Sequence, residues 1–281
     1  VDYCNKESGQ LPEIKNRYVF LNNQKKLEVW AKIGFVSDKK GRNTGLQVLG
    51  YSDDKDLVFG NSTLTANENH VFANWIYSDI VYSSFHTLKT GLNYAYKDMF
   101  NSFSNLHYGW KNHLVGIFLE YVYKPSKNFS LISGVRYDYN SNWKNVTTPR
   151  LHGRWEITTK DVLRFSGGLG TKDPNPFMEN IGVFASSRSL ILDSSFVQEQ
   201  AWNYGINYTR KFTIKNTPVS FSTDFYRTDF IHKQLVNFDI NSKEIWFYNI
   251  QNGSYSNSFM AQLITQPVSY THLTLPTTPY V

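Results

Sequence analysis

Apolar and polar residues alternate one by one through most of this chain, most clearly over residues 149–230. Successive strand side chains point to opposite faces, so each such segment carries one apolar and one polar face. Leu151 and Trp155 stand against Arg150, His152, Arg154 and Glu156, and Leu163, Phe165 and Leu169 against Arg164, Ser166 and Gly168. Trp202, Tyr204, Ile206 and Tyr208 alternate with Asn203, Gly205, Asn207 and Thr209. Val219, Phe221, Thr223 and Phe225 alternate with Ser220, Ser222, Asp224 and Tyr226. Upstream, Ile117, Leu119, Tyr121 and Tyr123 oppose Gly116, Phe118 and Glu120, and Leu131, Val135, Tyr137 and Tyr139 oppose Arg136 and Asp138. Further strands are predicted over 26–36, 85–96 and 255–263, with a weaker one over 46–52. Asn22-Asn23-Gln24-Lys25 and Asp38-Lys39-Lys40-Gly41 read as turns, and the polar stretch 52–69 as a loop.

The connections give the pattern a direction. Between Tyr123 and Ser254, short ones (125–128, 158–160, 215–217, 251–253) alternate with long ones (140–147, 171–198, 229–243). An outer-membrane barrel keeps its turns short at the periplasmic end and its loops long at the extracellular end. Tyr121, Tyr123, Tyr137, Tyr139, Trp155 and Trp202 fall near strand ends, where an interfacial aromatic belt belongs. The expected fold class is therefore all-β, part of a transmembrane antiparallel up-and-down β-barrel. A soluble sandwich or propeller, with one face packed and the other wet, is the alternative that the same alternation allows.

Composition agrees with strands rather than helices as the membrane-crossing element. The 281 residues include 19 Tyr, 20 Phe and 7 Trp, yet the mean hydropathy is −0.43. No run approaches the ~20 apolar residues of a spanning helix, whereas a barrel strand offers only every second residue to lipid. The net charge of +6 is scattered over turns and loops rather than gathered in a stripe, so no nucleic-acid partner is expected. Cys4 is the one cysteine, with no partner for a disulfide. The opening VDYCNKESGQLPEI has neither a basic nor an apolar signal-peptide region.

Motifs for chemistry are weak. SGGLGTK at 166–172 lacks phosphate-loop spacing and runs into Asp-Pro-Asn-Pro, which cannot open the required helix. The histidines form no i, i+4 zinc pair, and there is no GxSxG elbow. Glu120, Asp138, Glu156 and Asp224 share the polar face with Arg136, Arg150, Arg154 and Arg164, which predicts ion pairs rather than a glycosidase carboxylate couple. No catalysis, cofactor or metal is expected. The candidate ligand-facing loop is 171–198, where Phe177 and Phe184 offer ring faces and Arg188 a partner for an anionic group. The same residues could instead fold the loop on itself or on the rim. A second candidate is 229–243, with Asp229, His232 and Lys233.

The last stretch, VSYTHLTLPTTPYV, breaks the pattern. SYTHLTLPT, residues 269–277, can be back-translated to a string resembling a transposon-end adapter used in sequencing libraries. The expected division is thus 1–267 as native barrel and 268–281 as adapter read-through, with a genuine Pro- and Thr-rich tail as the alternative.

Several phrases, in order, resemble the barrel of TonB-dependent outer-membrane receptors, especially the Bacteroidetes type. They are TPRLHGRWEITTKDVLRFSGGLGTKDPNP, ENIGVFASSRSLIL, QAWNYGINYTRKF, SFSTDFYRTDF and FYNIQNGSYSNSF. The resemblance covers about 114–263 and weakens back to Arg17. About ten or eleven segments set against 22 strands around a plugged lumen imply half a barrel, without plug domain or TonB box. The interval between Tyr96 and Leu114 looks short for the family, as if strands were missing. The resemblance implies an outer-membrane importer of a bulky scarce nutrient, of the iron-siderophore, haem or cobalamin class. Its partners would be outer-membrane lipid, the ligand, and the TonB complex acting through a plug. A passive porin-like channel and a soluble glycan-binding or glycan-cleaving β-protein are the rival functions.

Overall fold

A computed structural model describes residues 19–193, 196–215 and 217–265. Cys4, the N-terminal stretch and the 268–281 tail lie outside them. Twelve strands form one sheet among the described residues. They are β1 (Phe20–Val36), β2 (Asn43–Phe59), β3 (Ser62–Ile80), β4 (His86–Phe103), β5 (Leu106–Tyr123) and β6 (Phe129–Asn140). Then come β7 (Val146–Glu156), β8 (Asp161–Lys172), β9 (Ser189–Leu192), β10 (Glu199–Ile214), β11 (Thr217–Asn237) and β12 (Glu244–Thr265). Each long strand pairs antiparallel with the next long one, and the short β9 lies parallel to the start of β12. The all-β, up-and-down expectation is met.

Register turns the alternation of single strands into continuous bands. Ile33, Leu46, Trp75, Leu92, Ile117 and Tyr137 are partnered in turn across β1 to β6. Phe165, Ile206, Phe225 and Phe259 do the same across β8, β10, β11 and β12. Most of these side chains are exposed, which in water would be an aggregation surface and in lipid is the matching one. On β5 the outer apolar positions run from Val115 to Tyr123, roughly 27 Å along the strand, which with barrel tilt fits the ~25 Å apolar band of such proteins. No helix among the described residues is long and apolar enough to cross a membrane.

The opposite face, here called inner, is polar and paired. Arg136 meets Asp138 at 2.8 Å, Arg154 meets Glu156 at 2.8 Å, and Lys89 meets Glu120 at 3.1 Å. Arg150 reaches Glu120 at 2.5 Å across Gly134, which separates them in the register; there the missing Cβ leaves the guanidinium its path. Such pairs carry little stability where water reaches them, but they fix side chains along the face.

Several expected turns and loops are strand. β1 runs straight through Asn22–Lys25, and 52–69 is the hairpin of β2 and β3 closed by Gly60-Asn61. The interval after Tyr96 holds the hairpin of β4 and β5 closed by Ser104-Asn105, so no strand is missing there. Gly60 and Ser104 both have positive φ, as primed two-residue hairpin turns require. Likewise β11 continues to Asn237 and β12 crosses 251–253, leaving only 238–243 as the connection. The reason is physical. Above the band the outer face meets water, and polar pairs replace apolar ones: Asn67–Asp54 at 2.7 Å, Thr65–Asp56 at 3.0 Å, Lys111–Asp98 at 2.8 Å. Polar strand was therefore read as loop. Only 173–198 is a long excursion, and it contains a short helix α1 (Pro176–Glu179), a 3-10 turn (Ile181–Ala185) and β9.

Candidate functional site

The strand ends are uneven. The connection 141–145 joins β6 and β7 level with Leu114 of β5, while β5 itself continues to Leu106. β2 to β5 on one side and β11 and β12 on the other thus stand above a low rim at β6 to β8. Residues 173–198 leave β8 at that rim and reach both tall walls.

A polar clamp holds the stem of this excursion. Asp173 takes the Lys97 ammonium on one carboxylate oxygen at 2.8 Å and the Gln198 amide on the other at 2.9 Å. The Trp110 indole donates to the Pro174 carbonyl at 2.8 Å. Asn175 accepts from Asn101 at 2.8 Å and, as N-cap of α1, from the Met178 amide at 3.3 Å. Pro176 occupies the first turn, where its missing N–H is no loss.

Beyond the stem the excursion folds around its own aromatics. Phe177 is 0% exposed and Phe184 2%, in one cluster with Leu57, Phe59 and Leu64 of the β2–β3 wall. The Phe184 ring meets Phe103 edge-on at 4.7 Å and Phe177 at 5.2 Å. A second cluster joins Val183 and Phe196 to Ile245 and Phe247 of β12. Tyr108 lies between the two, edge-on to Phe196 at 5.3 Å, with no hydrogen-bond partner for its hydroxyl among the described residues. Burial pushes that phenol well above the ordinary tyrosine range, so it stays neutral. Backbone bonds from Ser189 to Lys243, just before β12, and from Asp193, just after β9, to Phe247, both 2.9 Å, flank the parallel pairing of β9 with β12.

The three residues singled out in this loop therefore divide. Phe177 and Phe184 present no face to a ligand in this conformation; they are the core that ties the loop to the wall. Arg188 is half-buried and donates to the Phe238 carbonyl at 3.2 Å. It borders a recess of about 460 Å³ with Asn180, Val183, Ser186, Phe238 and Ile245. Of the second candidate set, Asp229 is held by Arg227 at 2.8 Å and by Tyr204 at 2.7 Å. Lys233 lies 4.1 Å from the Phe230 ring centre, and His232 is part-buried in β11 with an unpartnered Nδ1. These three do not converge.

Beneath the clamp lies an inner chamber of about 520 Å³, bordered by Glu68, Lys97, Trp110, Arg136, Asp138 and Gln198. Charges of both signs and one indole line it, and the buried Gln198 Oε1 has no partner among the described residues. Lys97, Trp110 and Asp173 were missed by sequence reasoning. The usable signal was Asp-Pro-Asn-Pro, two prolines bracketing an Asn that can cap, a stem pattern rather than a ligand pattern.

No protein-family model matches the chain, and no curated protein matches it. Solved structures do. The siderophore receptor PirA of Pseudomonas aeruginosa aligns with a TM-score of 0.59 at 11% identity, over 86% of this chain and 47% of that one. A double mutant of the Serratia marcescens hemophore receptor HasR, in complex with its hemophore HasA and heme, gives 0.62 at 9% identity, over 87% and 47%. A mutant of the ferric enterobactin receptor PfeA of P. aeruginosa gives 0.63 at 12% identity, over 88% and 42%. The chain spans about half the length of these receptors. At such identities the likeness establishes the fold, which is that of part of a TonB-dependent-receptor barrel.

Proposed function

We propose that this chain forms about half the barrel of an outer-membrane receptor that imports a bulky, scarce nutrient with energy from the TonB complex. The observation that carries the reading is the pairing of a continuous apolar outer band with a polar, ion-paired inner face. A soluble sandwich would bury that outer band. Siderophore or haem-carrier ligands fit the receptors it resembles. The cobalamin option and the Bacteroidetes subtype rest on the sequence phrases alone. In this reading residues 1–267 belong to the barrel, the TonB contact and plug lie in flanking sequence, and 268–281 derive from an adapter. Arg188, at the recess beside Phe238, is the first ligand contact, and no chemical step is assigned to any residue.

The test uses the complete gene product, the chain with its genomic flanks. In outer membranes it is expected to migrate faster unheated than boiled and to restore growth of an uptake-deficient strain on one ferric chelate or on haem. Arg188→Ala is expected to weaken that growth while leaving the heat-modifiable band intact. A product that fractionates as soluble, or an uptake rate indifferent to loss of TonB, would refute the proposal. An independent clone that encodes SYTHLTLPT would refute the adapter assignment.

A further inference from the structure

Two consecutive rows of the inner face cross β6 to β11 in register below the chamber. One reads Ser130, Arg154, Arg164, Asn207, Asp224, and the other Ile132, His152, Ser166, Gly205, Tyr226. Arg154 and Arg164 are direct cross-strand partners, and like charges at that spacing, with Cβ atoms about 5 Å apart, repel. Their existing partners relieve this unequally. Arg154 has Glu156, one step down its own strand, at 2.8 Å. Among the described residues Arg164 has only neutral oxygens, Asn207 Oδ1 at 3.0 Å and Thr209 Oγ1 at 3.4 Å. Asn207 turns its amide nitrogen to Asp224 at 2.7 Å, so the nearest other carboxylate in that row is held one strand further away.

These rows enclose a recess of about 370 Å³ bordered by Ser130, His152, Arg154, Arg164, Ser166 and Tyr226. Its shape depends on Gly205: a Cβ there would run into the Tyr226 ring, which leans over the glycine from β11. The polar groups bordering the recess are two guanidiniums, an imidazole and three hydroxyls, with no carboxylate among them. Guanidiniums donate in a fixed fork that matches the oxygens of a phosphate or carboxylate.

We propose that Arg154 and Arg164, with Ser130, Ser166 and His152 around them, form an oxyanion site on the inner wall, for a phosphate or carboxylate group borne on a molecule inside the barrel. The site rests on the reading of this face as a lumen wall. Its test is therefore run on the complete gene product in detergent, after the heat-modifiable band has shown a closed barrel. Inorganic phosphate is titrated against chloride at matched ionic strength and binding is read by calorimetry. Saturable binding is expected, weakened about tenfold or more in Arg164→Gln and in Arg154→Gln, the loss of one charge-assisted contact. Lys127→Gln, on the connection 124–128, is expected to bind as the parent does. A closed barrel with no saturable phosphate binding, or with binding unchanged in Arg164→Gln, overturns the site and leaves the transport reading standing. Absence of a heat-modifiable band overturns both.

Discussion

Truncating Phe177 separates the loop from the barrel that carries it. The ring is fully buried between Phe184, Tyr108 and Phe247 and belongs to the cluster with Leu57 and Leu64. Phe→Ala at such a site costs about 3–5 kcal/mol. The ladders that hold the sheet do not pass through this ring, so the loss falls on the closed state of the loop. At about 1.4 kcal/mol per tenfold, the open population rises between roughly a hundred- and a few thousand-fold. The assay is amide hydrogen exchange in the complete gene product, read at Ser189 and Asp193, whose N–H groups bond to the β11–β12 connection and to β12. Phe177→Ala is expected to speed their exchange by that factor, while the temperature at which the heat-modifiable band disappears moves little. Phe177→Leu, which keeps most of the volume, should cost under about 1.5 kcal/mol. Unchanged exchange at both amides in Phe177→Ala would refute the claim that this ring fastens the loop.

Other substitutions probe the wall and the clamp. Gly91→Ala places a Cβ against the Trp75 carbonyl and the Phe118 ring; since the oxygen is backbone, the sheet itself must give, at about 1–3 kcal/mol. The heat-modifiable band should then vanish several degrees earlier, and an unchanged transition would show that the two strands can part freely. Tyr108→Phe removes a buried hydroxyl that has no partner among the described residues; loop protection should hold or improve by up to about 1 kcal/mol. Measured destabilisation beyond that would reveal an acceptor. Asp173→Asn weakens the link to Lys97 and should add to Phe177→Ala less than additively in the exchange assay, since both fasten one loop. Strict additivity would mean that the stem and the tip open independently. Glu120→Gln leaves Lys89 and Arg150 facing each other without their shared carboxylate. The resulting loss, about 1 kcal/mol or less because Lys89 and Arg150 remain half in water, should shrink with added salt, and a salt-independent loss would refute the electrostatic account.

What the sequence disclosed and what it hid follow from the medium each strand crosses. Within the band, lipid on one side and a polar interior on the other make the period of two unmistakable, and Ile117 to Tyr123 or Trp202 to Tyr208 were read correctly. Above the band the apolar residues change sides without any inserted residue. β2 carries Leu46 and Val48 outward but Leu57 and Phe59 inward; β5 carries Val115 and Ile117 outward but Leu106 and Tyr108 inward. A reader following one face sees the pattern fade and infers a loop, whereas a reader following its phase would see it invert. The aromatics of the loop were legible as important but not as buried, because their partners lie on β2, β3 and β12. Lys97 carried no local signal, since an ion pair between distant residues leaves none, and Asp173 showed only as the head of Asp-Pro-Asn-Pro, a stem pattern.

The contacts that close the mouth join residues 177–184 to residues 57–64, far apart in the chain, whereas every long strand pairs with its immediate neighbour in order. Closing a long span of chain costs entropy that contacts between neighbouring hairpins do not. Assembly therefore has a built-in sequence of events: hairpins zip first, the two tall walls come to face each other next, and the loop finds its pocket only once both exist. The loop core then reports on completion. A barrel caught part-way would carry Phe177, Phe184 and Phe196 exposed, and these rings would mark unfinished molecules to whatever machinery inspects them.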